Sequence, residues 1–303
     1  RKPRRSAMSV DLLGTILFNA MSWAMATFLV AAGLTLVFGI LHVLNFSHGG
    51  FFMIGAYVAY SVMNMVGGDP TLFLYLVASV VAAVAIGIAG IGTDFLVFRR
   101  LKNVDGVYVL VATYALLLVC DGFVKLVWGM NFLSVLPPEE LFGAIFLGGV
   151  VMPNYAVFVI VMGVAVFLLL EWLITATSIG KLIQAIAIDP WMARLMGINV
   201  AFVYTVTVVI GFALAGFAGG LLVANQSLSP QLAGIFIIQA FGVVIVGGMG
   251  SIRGAFLASI LLGLVEAAGA FILPQYPGVL FFAALALMLL VRPQGLLGGE
   301  KLA

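Results

Sequence analysis

The sequence predicts an all-α polytopic membrane protein, and three observations carry that prediction. Of 303 residues, 64% are hydrophobic and only 8% are charged. Soluble chains carry about 25% charged residues, so this chain could not cover a wetted surface. Apolar runs long enough to cross a bilayer, about 20 residues each, recur from end to end. No polar stretch is long enough to fold as a separate soluble unit. We therefore expect one transmembrane domain over residues 1–303, with about eight or nine spans.

The elements follow in order. The chain opens on Arg1-Lys2-Pro3-Arg4-Arg5. A basic cluster before an apolar run resembles a secretory signal. The apolar run continues well past a signal's short core, which favours a retained segment. Lys and Arg concentrate on the cytoplasmic side of membrane proteins. That rule puts residues 1–5, Arg99-Arg100-Leu101-Lys102, Lys181 to Arg194, and Arg253 with Arg292 and Lys301 inside. The loops at 66–71, 129–140, 225–232 and 274–277 hold no Lys or Arg and go outside. Spans then fall at 72–98, 107–128, 153–175, 201–224, 233–246, 255–272 and 278–291, with the C-terminus cytoplasmic.

The first 65 residues do not fit this count. Two apolar runs, 10–41 and 49–65, make an even number of crossings where an odd number is needed. One solution breaks a helix near Asn45-Phe46-Ser47-His48-Gly49-Gly50 and makes a half-depth turn. Such backbone survives at membrane depth only against protein or a water-lined path. The other solution lays 10–20 along the interface and leaves the basic tail outside. Beyond the fourth span, Phe142 to Met152 is short, β-rich and punctuated by Gly, which predicts a small outer hairpin.

Composition excludes several function classes. One cysteine, Cys120, forbids an internal disulfide framework. Two histidines, His42 and His48, make no zinc site alone. A net charge of +2 is too small for nucleic-acid binding. Gly180-Lys181 is followed by Leu182, so it is no phosphate-binding loop. Small residues let membrane helices approach closely. Gly216 with Gly220, and Gly263 in the span 255–272, are expected packing positions.

Ionisable or polar residues at depth are functional candidates. Asp121 and Lys125 are four apart on one helix face and can neutralise each other. Glu266 is the lone acid of its span and either meets a neighbour or lines a pathway. Asp94 and Glu171 lie near cytoplasmic ends, facing headgroups or a partner. Asn45, Ser47 and His48 either cap the broken helix or border a pathway or gate. In the loop 177–200, Gly180 and Asp189-Pro190 punctuate two short helical stretches. Trp191, Leu195 and Ile198 recur on one face, a pattern suited to helix-in-groove docking or to lying on the membrane surface.

Three stretches together resemble a known family. They are Gly39 to Tyr60, with Asn45-Phe46-Ser47-His48-Gly49 and Gly55-Ala56-Tyr57; Gly180 to Asn199; and Gly247-Gly248-Met249-Gly250-Ser251-Ile252-Arg253-Gly254-Ala255. The chain looks like a permease subunit of branched-chain, or hydrophobic, amino acid ABC importers. It departs at Ser47, usually Ala, at Gln184, often Arg, and at Ala258, usually Gly.

The resemblance implies a pathway for branched-chain or other hydrophobic amino acids. The partners it implies are a second, related but different permease chain, two cytoplasmic ATPases, a periplasmic binding protein and the lipid bilayer of a bacterial inner membrane. It implies no cofactor in this chain; ATP and Mg would be bound by the ATPases. The coupling loop would use Gly180, Lys181, Gln184, Ala185, Asp189, Pro190, Arg194 and Gly197. The competing class is a stand-alone secondary transporter of a small polar solute, using Asp121, Glu266 or His48 for a coupling ion. An intramembrane enzyme lacks a catalytic set in this sequence.

Overall fold

A computed structural model describes residues 5–101 and 104–298. The basic residues 1–4, Lys102 and Lys301 lie outside the described residues. In chain order the helices are α1 (Arg5–Leu41), α2 (Ser47–Val66), α3 (Leu72–Thr93), α4 (Gly106–Trp128), α5 (Asn154–Ala176), α6 (Ser178–Ile188) and α7 (Pro190–Leu195). They continue with α8 (Val200–Leu222), α9 (Leu232–Gly247), α10 (Ile252–Ile272) and α11 (Val279–Val291). Strands β1 (Ala144–Leu147) and β2 (Val150–Pro153) lie between α4 and α5. Among the described residues, seven helices are long and apolar enough to cross a membrane; α9 and α11 are apolar but shorter, at 16 and 13 residues. The expected hairpin is present, paired antiparallel from Ala144↔Pro153 to Leu147↔Val150.

The sequence starts its helices with short polar caps. Side-chain oxygens of Thr71, Asp105, Thr177, Asn199 and Ser251 accept from the first-turn N–H groups of α3, α4, α6, α8 and α10. Each removes an otherwise unpaired donor at a helix start. The apolar faces then close around α1 and α8. From Phe28 to Val37, most of α1 is fully enclosed. It packs on α10, α8, α5 and α9, while α8 also meets α2 and α3. The faces of α3, α4 and α5 turned outward keep large apolar side chains exposed, as lipid contact requires.

Two ends can be told apart. At the hairpin end, the Glu139 N–H bonds the Pro70 carbonyl and Leu133 pairs with Leu228. That gathers the loops at 66–71, 129–140 and 225–232 on one side. At the loop end, Gly39 lies against Gly250 and Arg253 bonds Glu171. This end holds 99–101, α6, α7 and 247–254.

The start of α1 overturns one expectation. Gly149 of the hairpin turn donates to Asp11 Oδ1 at 3.3 Å, and Gly14 sits against Val150. The beginning of α1 is therefore at the hairpin end, opposite Arg99, Lys181 and Arg253. Charge counting put residues 1–5 on the side of those clusters; the described start of α1 at Arg5 lies at the other end, and residues 1–4 lie outside the described residues. The parity conflict disappears because α1 and α2 cross in opposite directions. Residues 10–20 are a continuous part of α1 rather than a separate interfacial helix.

The expected break is nonetheless present. Helix ends at Leu41 and resumes at Ser47, with His42 at φ +54°. His48 bonds the Val30 carbonyl, eleven residues back from the end of α1, a rise of about 16 Å. The intervening His42–Phe46 is long enough, extended, to climb back about that distance. Thus α2 starts at depth, though its first residues Ser47–Gly50 are already helical. The second short start is α9. Its first turn lies against Gly49 and faces Leu117 and Asp121 of α4, about two turns below Trp128. The Gly247–Gly254 loop seats the C-terminal segment. Leu296 and Leu297 donate to the carbonyls of Val246 and Gly247 at 2.7 and 3.1 Å.

Candidate functional site: the chain break and the loop-end helices

Asn45 is 1% exposed and has a fixed orientation. Its Oδ1 accepts from the Ser47 N–H at 3.0 Å and from the Ser47 hydroxyl at 2.6 Å. A backbone N–H can only donate, so the oxygen must face it. The Nδ2 group then points away, buried and without a partner among the described residues. Phe46 N–H donates to Thr113 Oγ1 at 3.2 Å, tying the break to α4. His48 is fully buried. Its Nε2 lies 3.0 Å from the Val30 carbonyl, which must receive a proton from it, and its Nδ1 has no partner among the described residues. Gly33 makes room for the ring: a Cβ there would stand 2.9 Å from His48 Cε1.

The end of α3 was misjudged from sequence. Residues Asp94–Phe98 form a π-helical turn, a form common at functional sites. The wider turn aligns Asp94 with Arg99, five residues on. Asp94 Oδ2 accepts from Arg99 Nε at 3.0 Å and from the Thr205 hydroxyl at 2.6 Å. Arg99 Nη2 also donates to Thr205 Oγ1 at 2.8 Å. Asp94 is only 2% exposed, so it faces α8 and not headgroups or a partner. Glu171 pairs with Arg253, which fixes both side chains at the loop end.

Between these parts lies a cavity of about 370 Å³. Its polar lining comes from Asn45, Asp94, Arg99, Thr113, Arg194 and Tyr204, and α7 also contributes Pro190. Five separate segments build it: the break, the π turn, α4, α7 and the start of α8. Spacing along the sequence could not reveal it, since its members lie up to 163 positions apart, from Leu41 to Tyr204.

The loop 177–199 folds as the two expected short helices. Asp189 Oδ1 accepts from Trp191 N and Met192 N at 2.9 and 3.0 Å, and Pro190 opens α7. Gly180 is enclosed beneath α5: a Cβ there would collide with the carbonyls of Leu173 and Ile174. Ile183, Ile186 and Ala193 face inward. Gln184 and Ala185 are half-buried, while Lys181, Asp189, Pro190, Arg194 and Gly197 are exposed. Trp191, Leu195 and Met196 are 64%, 63% and 76% exposed. Gly197 closes α7 at φ +81°, a conformation that favours glycine.

The remaining candidates are apart from this region. Gly216 and Gly220 lie where α8 meets α3. Added Cβ atoms would stand 2.6 Å from the Ala82 oxygen and the Ser79 Cα. At Gly263 a Cβ would stand 2.9 Å from Ala24 Cβ on α1. Glu266, half-buried on α10, lies outside the loop-end cavity. Lys125 and Asp121 form the expected pair at 2.6 Å.

A multi-pass bundle with deep helix starts and an exposed helical pair at one end is the build of a membrane permease. Sequence comparison makes the class specific. Residues 16–291 match the family described as branched-chain amino acid transport system / permease component. The chain belongs to that family. It is 31% identical over 290 residues to the high-affinity branched-chain amino acid transport system permease protein BraD of Pseudomonas aeruginosa, covering 93% of this chain and 94% of that one. It is 31% identical over 294 residues to the corresponding protein LivH of Escherichia coli, with the same coverages. A similar protein named LivM, also of Escherichia coli, is 26% identical, covering 89% of this chain and 67% of its own length. Among solved structures, PsaBC from Streptococcus pneumoniae in complex with Fab matches at a TM-score of 0.40 and 15% identity, covering 95% of this chain and 91% of that one.

Proposed function

We propose that the chain forms the membrane pathway of an ATP-driven importer for branched-chain or other hydrophobic amino acids. A periplasmic binding protein delivers the substrate. A second, related permease completes the pathway, and two cytoplasmic ATPases bind ATP and Mg and drive it. The chain itself carries no cofactor. It sits in a bacterial inner membrane with its C-terminus, and the loop end, in the cytoplasm.

The observation that carries the coupling reading is the exposed apolar face of α7 with Ile188 at the end of α6. Trp191, Met192, Leu195 and Met196 are large apolar side chains on a short, doubly capped helix. A helix presented in this way fits a hydrophobic groove on another protein. Lys181, Gln184, Ala185, Asp189, Pro190 and Arg194 surround that face. Asn45, Ser47, His48 and Glu266 are the pathway or gate candidates. The first three support that role by their depth and by the polar atoms of Asn45 and His48 that lack partners among the described residues.

The test is co-purification and transport with the neighbouring ATPases. Leu195→Glu should leave the membrane protein folded and abolish ATPase binding and ATP-driven uptake. Wild-type coupled uptake in that variant would refute the contact. Gly197→Trp is a poorer probe, because its positive φ strains any side chain placed there. Separately, the chain alone in liposomes should not accumulate leucine under an ion gradient. Accumulation there would establish a stand-alone carrier.

A further inference from the structure

On the hairpin side of the bundle, α4 and the start of α9 do not close against each other. They leave an open groove of about 370 Å³, within the range of about 300–1,000 Å³ that ligand pockets span. Asp121 and Gln231 stand at one end of it, and Leu118, Ile235 and Ile238 form much of the rest. Because α9 runs away from the hairpin end, Ile238 lies about 10 Å deeper than Gln231. The groove therefore has its polar residues towards the outer end and apolar ones further in. Those apolar residues are accessible: Leu118, Ile235 and Ile238 are 51%, 50% and 46% exposed.

Two observations argue that lipid does not fill it. Lys125 and Asp121 are an ion pair within the span of α4, with side chains 43% and 23% exposed. Ionisable groups in a span face protein or a water-filled cavity, because hydrocarbon does not solvate them. The chain also enters α9 through irregular backbone, and Gln231 at its start is exposed. Such backbone at membrane depth needs protein or a water-lined path beside it. Gly234 shows that the wall is unobstructed. A Cβ there would meet nothing within 4 Å, whereas Cβ atoms at Gly216, Gly220 and Gly263 would each collide with a neighbouring helix.

We infer that this groove is the outer section of the pathway wall contributed by this chain, and that it takes the aliphatic side chain of a zwitterionic amino acid. The inference rests on the importer reading and names where in the chain the substrate first lies. Asp121 and Lys125 together carry no net charge, which suits a zwitterion and not an ion of either sign. The ammonium and carboxylate stay at the level of Asp121, Lys125 and Gln231, and the side chain lies on Leu118, Ile235 and Ile238. The groove is separate from the exposed α7 face.

The test uses the assembled importer in cells, read as ATP-driven uptake of labelled leucine. Gly234→Leu fills the groove without meeting another part of the chain, and should abolish uptake. Gly92→Leu, likewise in open space but on α3, should leave uptake unchanged. Leu118→Cys decides the matter if Gly234→Leu does not fold. A membrane-impermeant methanethiosulfonate added from outside should modify it and stop uptake, and leucine should slow that reaction. Alanine should protect only at concentrations at least about tenfold higher, since each methylene in an apolar pocket is worth about tenfold or more. Ile88→Cys on α3, 62% exposed to lipid, should not react, and the wild type with its buried Cys120 sets the background. Absence of leucine uptake by the wild-type assembly would overturn the importer reading and this inference together. With wild-type uptake intact, the inference alone falls on any of three results: normal transport by Gly234→Leu, equal protection by leucine and alanine, or a Leu118→Cys variant silent to the reagent, as lipid or a second permease covering the groove would make it.

Discussion

The break at 42–46 and the helical pair at 178–195 are both interruptions capped by an Asx side chain, yet they are opposites. At the break, Asn45 accepts from the Ser47 N–H in a fully enclosed setting and leaves polar atoms of Asn45 and His48 without partners among the described residues. At α7, Asp189 accepts from two N–H groups in water and leaves apolar side chains without cover. Each local structure is complete as backbone. What is incomplete is the side-chain environment, polar inside and apolar outside. Unpartnered chemistry of the wrong kind for its surroundings is therefore the mark that the two regions share, and it separates them from the α3–α8 contact, where small residues simply touch.

Four substitutions would break or sharpen this contrast. Gly49→Leu should be the most damaging. A Cβ there would stand 2.7 Å from the Ala233 oxygen and Ile237 Cβ, so a larger side chain forces α9 from α2. The expected loss is about 3 kcal/mol, read as a large fall in thermal midpoint in detergent. A wild-type midpoint would mean that the two deep helix starts are not tightly packed.

Asn45→Leu should cost about 1–3 kcal/mol, because the Ser47 N–H is left buried without an acceptor. Hydrogen exchange at the first turn of α2 should rise. Protection equal to wild type would remove Asn45 from its capping role. Asp189→Ala should cost about 1 kcal/mol. Here water can replace the cap, so the effect is confined to α7 and is visible as faster proteolysis at Trp191 to Leu195. A larger loss than at Asn45 would reverse the comparison. Leu195→Glu should change stability by less than about 0.5 kcal/mol, measured by the same thermal midpoint. A marked destabilisation would mean that α7 is packed rather than presented.

Much of this was legible in the sequence, and the reasons differ by element. The spans from 72 onward, the hairpin and the Asp189-Pro190 division follow from hydropathy and local turn chemistry. Gly216, Gly220 and Gly263 stand out as small residues inside otherwise bulky runs. The side on which α1 starts was misread because charge counting weighs a cluster by its composition and knows nothing of Gly149 bonding Asp11, 138 positions away. Asp94 was misread because an α-helical wheel does not align it with Arg99; only the wider π turn does. The cavity was invisible because no short window contains more than a part of it. That Asn45 Nδ2 has no partner among the described residues depends on an amide orientation, which composition does not encode.

The seating of the C-terminal segment has a consequence for the order of assembly. The final carbonyls of a helix need donors. Those of Val246 and Gly247 in α9 receive them from Leu296 and Leu297. A ribosome releases those residues fifty positions after the helix they complete. Throughout that interval α9 has been made and its loop-end terminus is unfinished, whereas α2 and α8 already have their partners in hand. The loop-end terminus of α9 is consequently finished late in synthesis time, by a short tail laid across the end of a helix made much earlier.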